Sequence, residues 1–248
     1  MNAKGIWAVV PVLASLWCPV GTAQETLLND AFDRANSATV GNGWVETEAT
    51  GAAAGISSGQ LVFTDTSDVV RRPMVVHALP QTTSGLVVWE FQLNWSRTGS
   101  ESAYFVYMQL GDGSQMSADS LDAGVAVNLV WTRIGGVDQQ LGFRRSGSVT
   151  ALRTLSGIAT VRVTASLEQA TYDVSVDGAV VRSQVPFDST VPLSAVRLFT
   201  DALNEVNFTG RSFDQLRITR EEAGGGNAAP VAANEDARAE DRAELLRG

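Results

Sequence analysis

The chain of 248 residues contains a single cysteine, Cys18, a single lysine, Lys4, and a single histidine, His77. One cysteine cannot form an intramolecular disulfide, and one histidine would leave a zinc site dependent on carboxylates for its other ligands. Basic residues are also few, because 18 Lys and Arg stand against 27 Asp and Glu, for a formal net charge of −9. This charge argues against nucleic acid as a partner, since phosphate binding needs a basic surface.

The first 23 residues have the pattern of a secretory signal peptide. Lys4 supplies a positive charge, 6–20 is mostly apolar, and Gly-Thr-Ala at 21–23 offers small residues for cleavage. The apolar run is shorter than the ~20 residues that a membrane-spanning helix needs. We therefore expect a secreted or periplasmic protein, whose mature chain has neither cysteine nor lysine and holds 17 bases against 27 acids, a net charge of −10.

Apolar and polar residues alternate along much of 24–220, which is typical of β-strands with one buried face. In 86–95 the odd positions are apolar, whereas Glu90, Gln92 and Asn94 are polar. The same period-2 pattern recurs in three further segments, 125–131, 159–167 and 172–176. Turn pairs lie between such segments: Gly135-Gly136, Ser146-Gly147 and Asp177-Gly178. The spacing predicts about 11 to 14 strands in an all-β sandwich or barrel.

The composition changes after this body. Residues 221–248 are rich in Ala, Gly and Glu, contain no aromatic residue, and hold seven acids and three bases. Such a segment lacks the apolar surface needed to offset the entropy of ordering. We predict one folded domain over 24–220, followed by a disordered acidic tail over 221–248.

Motifs at both ends of the body carry a resemblance. Near the start lie DAFDRAN at 30–36, VGNGW at 40–44 and GQLVF at 59–63; near the end lie YDVSVDG at 172–178 and FDQLRI at 213–218. In this order they resemble the concanavalin A-like lectin/glucanase superfamily, in particular bacterial laminin G-like jelly-roll domains. The resemblance implies two antiparallel sheets, with one bent sheet whose concave face holds sugars in many members. It also implies that the first and last strands pair, bringing 30–33 close to 213–218.

The polar positions of 86–95 are candidates for sugar binding. Amides beside an acid, as in Glu90, Gln92 and Asn94, can hydrogen-bond sugar hydroxyls, and the nearby Tyr104 and Tyr107 could stack on sugar rings. Arg197 is a further candidate on the polar face of another strand. The alternative interpretation of these positions is an ordinary solvated sheet surface. Four tryptophans are expected in the core, because three of them fall on apolar strand faces: Trp44, Trp89, Trp95 and Trp131.

Two kinds of catalysis are alternatives to this binding role. Glycoside hydrolases of the superfamily carry paired acids on one strand, but here Glu90 is followed by amides and lacks an acidic partner. Lyases of the superfamily use a Tyr or His base with Arg, for which Tyr104, Tyr107 and nearby arginines could serve; His77 is better explained as a strand residue. We therefore expect a secreted, non-catalytic carbohydrate-binding or cell-surface adhesion module. The alternatives are a polysaccharide-degrading enzyme with an atypical site and a purely structural surface protein.

Structural calcium is a further expectation, because Ca²⁺ prefers carboxylate and carbonyl oxygens. Asp30, Asp33 and Asp214 would approach one another if the terminal strands pair as the resemblance implies. A second acidic group is Asp112, Asp119 and Asp122. In either place the aspartates could instead form turns by bonding their own backbone.

Overall fold

The computed structural model describes residues 24–65, 72–95, 105–117, 120–134, 137–201 and 211–221, without the side chains of Asp65, Trp95 and Asp138. The predicted signal peptide and all but the first residue of the predicted tail lie outside the described residues. Within them, no helix is long and apolar enough to cross a membrane.

All regular structure in these ranges is β-strand. The strands are β1 (Gln24–Asp30), β2 (Trp44–Thr47), β3 (Ala52–Ser57), β4 (Gln60–Asp65), β5 (Met74–Thr82), β6 (Leu86–Trp95), β7 (Phe105–Gly111), β8 (Val125–Ile134), β9 (Val137–Arg145), β10 (Ser148–Thr154), β11 (Ile158–Ser166), β12 (Thr171–Val176), β13 (Ala179–Pro186), β14 (Leu193–Thr200) and β15 (Arg211–Glu221). The 15 strands found are close to the number predicted, and the all-β fold is confirmed.

The strands form two antiparallel sheets. The eight-stranded sheet has the order β13-β12-β11-β6-β15-β4-β3, with β1 also paired to β15. The seven-stranded sheet has the order β10-β9-β8-β7-β14-β5-β2. Pairing of the first and last strands places Asp30 opposite Leu216, which confirms the expectation for the chain ends. Two predicted turns are also confirmed, since Ser146-Gly147 and Asp177-Gly178 join consecutive strands with positive φ at all four residues.

The core lies between the two sheets, because alternation turns one face of each strand inward. On β6, Val87, Trp89, Phe91 and Leu93 are buried in one continuous cluster with residues of the other sheet. Trp44, Trp89 and Trp131 are 6%, 0% and 1% exposed, so the prediction that they belong to the core is confirmed. His77 lies within β5, and its ring contacts Trp44 edge-on at 5.2 Å between centroids.

One strand departs from simple alternation. On β8 the predicted outward positions Ala126, Asn128 and Val130 are as buried as their inward neighbours. The reason is the connection between β7 and β8, whose described residues 112–117 and 120–124 lie across the outer face of the seven-stranded sheet: Asn128 Nδ2 donates to the Leu121 carbonyl at 3.2 Å. This covered face is the main feature of the fold that alternation alone did not predict.

Candidate functional site

The predicted ligand-binding residues fall on two opposite surfaces of the sandwich. Glu90, Gln92 and Asn94 alternate with core residues of β6 and therefore lie on the outer face of the eight-stranded sheet. Tyr107 and Arg197 alternate with core residues of β7 and β14, and so lie on the outer face of the seven-stranded sheet. The structure does not bring the two groups together, which corrects the expectation that Tyr107 flanks the polar positions of β6.

Glu90 lies between two arginines on neighbouring strands. Arg162 on β11 and Arg217 on β15 are its register partners on either side. Arg162 Nη1 lies 3.3 Å from Glu90 Oε2, and the two side chains are 48% and 43% exposed. Because both groups are solvated, this ion pair contributes at most about 1 kcal/mol to stability. The ion pair holds the Glu90 carboxylate on the side of Arg162 and β11.

A small depression opens beside this ion pair. It encloses about 40 Å³ and is lined by Gln24, Val88, Glu90, Arg162, Arg217 and Thr219. Gln24 Nε2 donates to Thr219 Oγ1 at 3.1 Å, which fixes the amide at the edge of the depression. The Arg217 side chain is exposed beside Glu90 and has no hydrogen-bonding or ion-pair partner among the described residues. We call Glu90, Gln92, Asn94, Arg162 and Arg217 together the Glu90 surface.

The amides of the Glu90 surface continue along β6. Gln92 lies opposite Thr160 on β11 and Asp214 on β15. Asn94 Nδ2 lies 3.4 Å from Gln60 Oε1, which also accepts from Ser212 Oγ at 2.7 Å. Every second residue of a strand lies about 6.6 Å further along the same face. The acid, two amides and flanking arginines thus form a row of hydrogen-bonding groups on a regular sheet.

This arrangement differs from a glycoside hydrolase site. Gln92 stands where a paired acid would lie on the same strand face, and the cross-strand neighbours of Glu90 are the bases Arg162 and Arg217. The aromatic residues that flank Glu90 in sequence, Trp89 and Phe91, are fully buried in the core. The lining of the described depression contains no aromatic side chain for stacking a sugar ring. Hydrogen bonding and charge are therefore the chemistry that this surface offers.

On the opposite sheet, Arg197 is a buried cation held by neutral acceptors. It is 2% exposed, and Nε donates to Gln109 Oε1 at 2.8 Å. The guanidinium also donates to the carbonyls of Ser117, at 2.6 Å, and Ser120, at 3.1 Å, both in the β7–β8 connection. Burial lowers the pKa of Arg197 to about 10, yet leaves it charged at neutral pH. Its donors serve the chain itself, which corrects the prediction that Arg197 faces a ligand.

The hydrogen-bond network around Arg197 extends across four strands, β7, β8, β9 and β14. Gln109 Nε2 donates to Asn128 Oδ1 at 2.9 Å and to the Leu121 carbonyl at 2.7 Å. Arg144 then holds the end of the connection through Asp122, with Nε 2.8 Å from Oδ1. The bond between Gln109 and Asn128 joins β7 to β8, and the other two contacts tie parts of the β7–β8 connection to the sheet. This network has a structural role that accounts for its residues without a ligand.

Tyr107 lies in a stack of rings on this covered face. Its ring is 4.7 Å from that of Phe199 at an interplanar angle of 12°, and 6.0 Å from that of Phe105. The residue is 2% exposed, and burial raises the pKa of its hydroxyl to about 12. A general base for lyase chemistry needs a pKa nearer the working pH, so this shift is in the wrong direction. Tyr104, its predicted companion, lies outside the described residues.

Asp30 forms the centre of a second network, at the predicted calcium site. Its carboxylate accepts from Arg34 Nη1 at 2.7 Å, Trp44 Nε1 at 2.9 Å, Asn42 Nδ2 at 3.1 Å and the Phe32 amide at 2.8 Å. Burial alone would raise its pKa, but the hydrogen bonds from these four groups hold it below the usual value. The DAFDRAN and VGNGW motifs are therefore joined by one buried carboxylate.

The three aspartates proposed as calcium ligands are not gathered into one site. Among the described residues, no group of three or more His, Cys, Asp or Glu side chains could hold a metal ion. Asp214 Oδ1 accepts from the Gln215 amide at 2.7 Å, a local turn contact. In the second acidic group, Asp112 bonds the Ser114 amide at 2.9 Å, and Asp119 lies outside the described residues. Calcium binding itself stays a prediction.

A larger cavity lies at one end of the sandwich. It encloses about 200 Å³ and is lined by Thr83, Leu167, Phe187, Thr190, Val191 and Pro192. The lining has two hydroxyl groups and no charged or amide side chain, so it offers few of the directional contacts that orient a polar ligand. The Glu90 surface is richer in such contacts.

Comparison with known proteins shows which solved structures share this fold. No protein-family model matches the chain, and no match was found among curated proteins. Among solved structures, the chain is similar to the CBM2 module of Lactobacillus casei BL23 phage J-1 evolved Dit, with a TM-score of 0.58, 11% identity and coverage of 82% of this chain and 98% of that one. The fold is a lectin-like jelly-roll sandwich.

Two further structures share this lectin-like fold. The carbohydrate recognition domain of Emp47p has a TM-score of 0.50 and 17% identity, over 80% of this chain and 95% of that one. A sialidase has a TM-score of 0.59 and 11% identity over 80% of this chain, but the chain spans only 19% of the sialidase. At these identities the similarity shows the architecture and leaves activity to be argued from the site.

Proposed function

We propose that the protein is a secreted or periplasmic, non-catalytic glycan-binding module of the concanavalin A-like superfamily, with the Glu90 surface as its binding site. The observation that carries the proposal is the solvent-open depression beside Glu90, bordered by two arginines and followed by a row of amides. The lectin-like fold supports it, because similar structures include a carbohydrate-binding module and a carbohydrate recognition domain.

Gln92 provides the clearest contact for a neutral sugar. Its side chain is half-buried, lies two residues from Glu90 on the same face, and makes no hydrogen bond within the described residues. An amide can donate to one hydroxyl and accept from another, which suits the paired hydroxyls of a pyranose. Glu90 adds acceptor capacity on the next row of the sheet.

Affinity electrophoresis of the full chain in gels containing a panel of polysaccharides tests the proposal. We expect retention by at least one polymer, and expect Gln92→Ala and Glu90→Gln each to weaken it about two- to tenfold, the value of one hydrogen bond. Gln169→Ala, an exposed glutamine in the β11–β12 turn, is the matched control and should leave retention unchanged.

Two results would count against the proposal in different ways. Absence of retention by every polymer would overturn the glycan-binding function. Retention that is unaffected by Gln92→Ala and Glu90→Gln would place the binding site elsewhere. In that case Tyr107→Phe, which removes only a hydroxyl from the covered face, would show whether the opposite sheet takes part.

A further inference from the structure

We infer that the depression on the Glu90 surface binds a carboxylate, so that the preferred ligand is a glycan bearing acidic sugar residues. This inference rests on the proposed function and names the ligand class of the same site. Three charged side chains line the depression: Glu90, Arg162 and Arg217. Together they carry a net charge of +1 on a chain whose overall formal charge is −9.

The two arginines are not equivalent. Arg162 is engaged with Glu90 at 3.3 Å, which satisfies part of its guanidinium and neutralises the acid. The side chain of Arg217, on the other side of Glu90, makes no hydrogen bond or ion pair with any described residue. A guanidinium presents several N–H donors in a planar fork, which matches the two oxygens of a carboxylate. Arg217 is thus the cation available to an anionic ligand.

The size of the depression fits one small group. Its volume of about 40 Å³ is a few times the roughly 10–15 Å³ that a site needs in order to hold one water molecule. A carboxylate fits such a space, and the sugar ring that bears it then lies on the surface above. There the ring can reach the half-buried groups of the next row, such as Gln92 and Thr160.

The remaining lining agrees with a carboxylate. Gln24 Nε2 donates to Thr219 Oγ1 at 3.1 Å and to Glu221 Oε1 at 3.5 Å, and the threonine hydroxyl is a further possible donor. Glu90 is the one acid in the lining, and Arg162 draws it aside. An incoming carboxylate therefore meets Arg217 without having to displace a residue of the chain.

Paired ligands that differ only in charge test this inference with the full chain. Polygalacturonate is compared with its methyl ester, and sialyllactose with lactose, by affinity electrophoresis and calorimetry at low salt. We expect the acidic member of one pair to bind about tenfold more tightly, since a charge-assisted hydrogen bond exceeds a neutral one by about that factor. The polymer pair reports a uronate, and the oligosaccharide pair reports a sialate.

Variants assign any such preference to a residue. Arg217→Gln should abolish the preference for the acidic ligand, and Arg217→Lys, which keeps the charge but loses the fork, should retain part of it. Arg153→Gln is the matched control, because Arg153 is an equally exposed arginine on β10 of the other sheet. Equal thermal unfolding temperatures of the two Gln variants would show that both are folded.

The outcomes separate this inference from the proposed function. Equal binding of both members of each pair, or equal losses in Arg217→Gln and Arg153→Gln, would overturn the carboxylate site while leaving a glycan-binding module. Absence of binding to any glycan, neutral or acidic, would overturn the proposed function, and the inference would fall with it.

Discussion

Replacing Asp30 by Asn should destabilise the protein, because it removes acceptor capacity from a crowded buried site. Asn keeps one oxygen, which can still serve the Phe32 amide, but its Nδ2 group is itself a donor. Trp44 Nε1 and Asn42 Nδ2 both donate to Asp30 Oδ2, so they would lose their acceptor. The ion pair with Arg34 at 2.7 Å would be lost as well.

The size of the effect follows from these contacts. A buried donor left without an acceptor costs about 1–3 kcal/mol, and breaking a buried ion pair by removing one partner costs about 3–5 kcal/mol. Trp44 is buried, but Asn42 is exposed and Arg34 is 29% exposed, so these two can recover water and we expect a total of about 3 kcal/mol. With a urea m-value of about 3 kcal/mol/M, the unfolding midpoint should fall by about 1 M.

Urea unfolding of the full chain at several pH values is the assay. Because the pKa of Asp30 is lower in the folded state, its contribution is fully present above about pH 4, the ordinary pKa, and is lost as the pH falls through the folded value. The wild-type and Asp30→Asn curves should therefore approach each other in acid.

Asp33→Asn is the matched control, since Asp33 is an exposed acid three residues away in the same motif. It should shift the midpoint by less than about 0.2 M, in keeping with an ordinary surface substitution. A loss of less than 0.3 M in Asp30→Asn at neutral pH, or a loss equal to that of Asp33→Asn, would refute the assignment of Asp30 as the centre of the network.

Three further predictions concern other sites. Arg197→Leu should leave the acceptors of Gln109, Ser117 and Ser120 without their donor, so we expect faster proteolysis within 112–124 than in wild type. Unchanged cleavage there would contradict the structural role of Arg197 in holding the β7–β8 connection. Burial raises the pKa of Tyr107 in the folded state to about 12, so its contribution to the free energy of unfolding is fully present below about pH 10 and is lost as the pH rises to 12. Urea unfolding of Tyr107→Phe should not show this decrease in stability between about pH 10 and 12. The calcium prediction is tested by adding Ca²⁺ after EDTA treatment and measuring the thermal unfolding midpoint. Any increase in the midpoint should persist in Asp30→Asn, because the oxygens of Asp30 already accept hydrogen bonds from the chain. An increase that is lost only in this variant would show that Asp30 is a ligand.

The sequence predicts the architecture well because local patterns determine it. Alternation on β6 reproduces the inward and outward positions, and the turn residues Ser146 and Asp177 lie at hairpins with positive φ. Alternation fails on β8, where the polar Asn128 and the apolar Val130 both lie on the outer face of the sheet and are nevertheless buried. A second layer over a sheet depends on where a connection folds, and the local period of a strand does not contain that information.

The candidate site is predicted in part. Glu90, Gln92 and Asn94 are correctly placed on one face, but the sequence does not say which strands flank β6. Arg162 and Arg217 are far apart along the chain and become neighbours of Glu90 only through the sheet order. The alternation in 159–167 predicts that Arg162 points outward, and Arg217 lies in the FDQLRI motif, which indicates the fold. The sequence can thus indicate the face on which a side chain lies, but it does not tell which strands pair with β6.

The energies of the two outer faces favour the eight-stranded sheet as the ligand surface. On the seven-stranded sheet, a ligand that reached Arg197 would have to displace the carbonyls of Ser117 and Ser120, and Leu121 would also lose its bonds to Gln109 and Asn128. At about 1 kcal/mol for each of these four bonds, the loss equals the roughly 4 kcal/mol gained by a ligand with a Kd of 1 mM. Arg217 requires no such displacement. A glycan of modest affinity can therefore bind at the Glu90 surface under conditions in which the covered face stays closed.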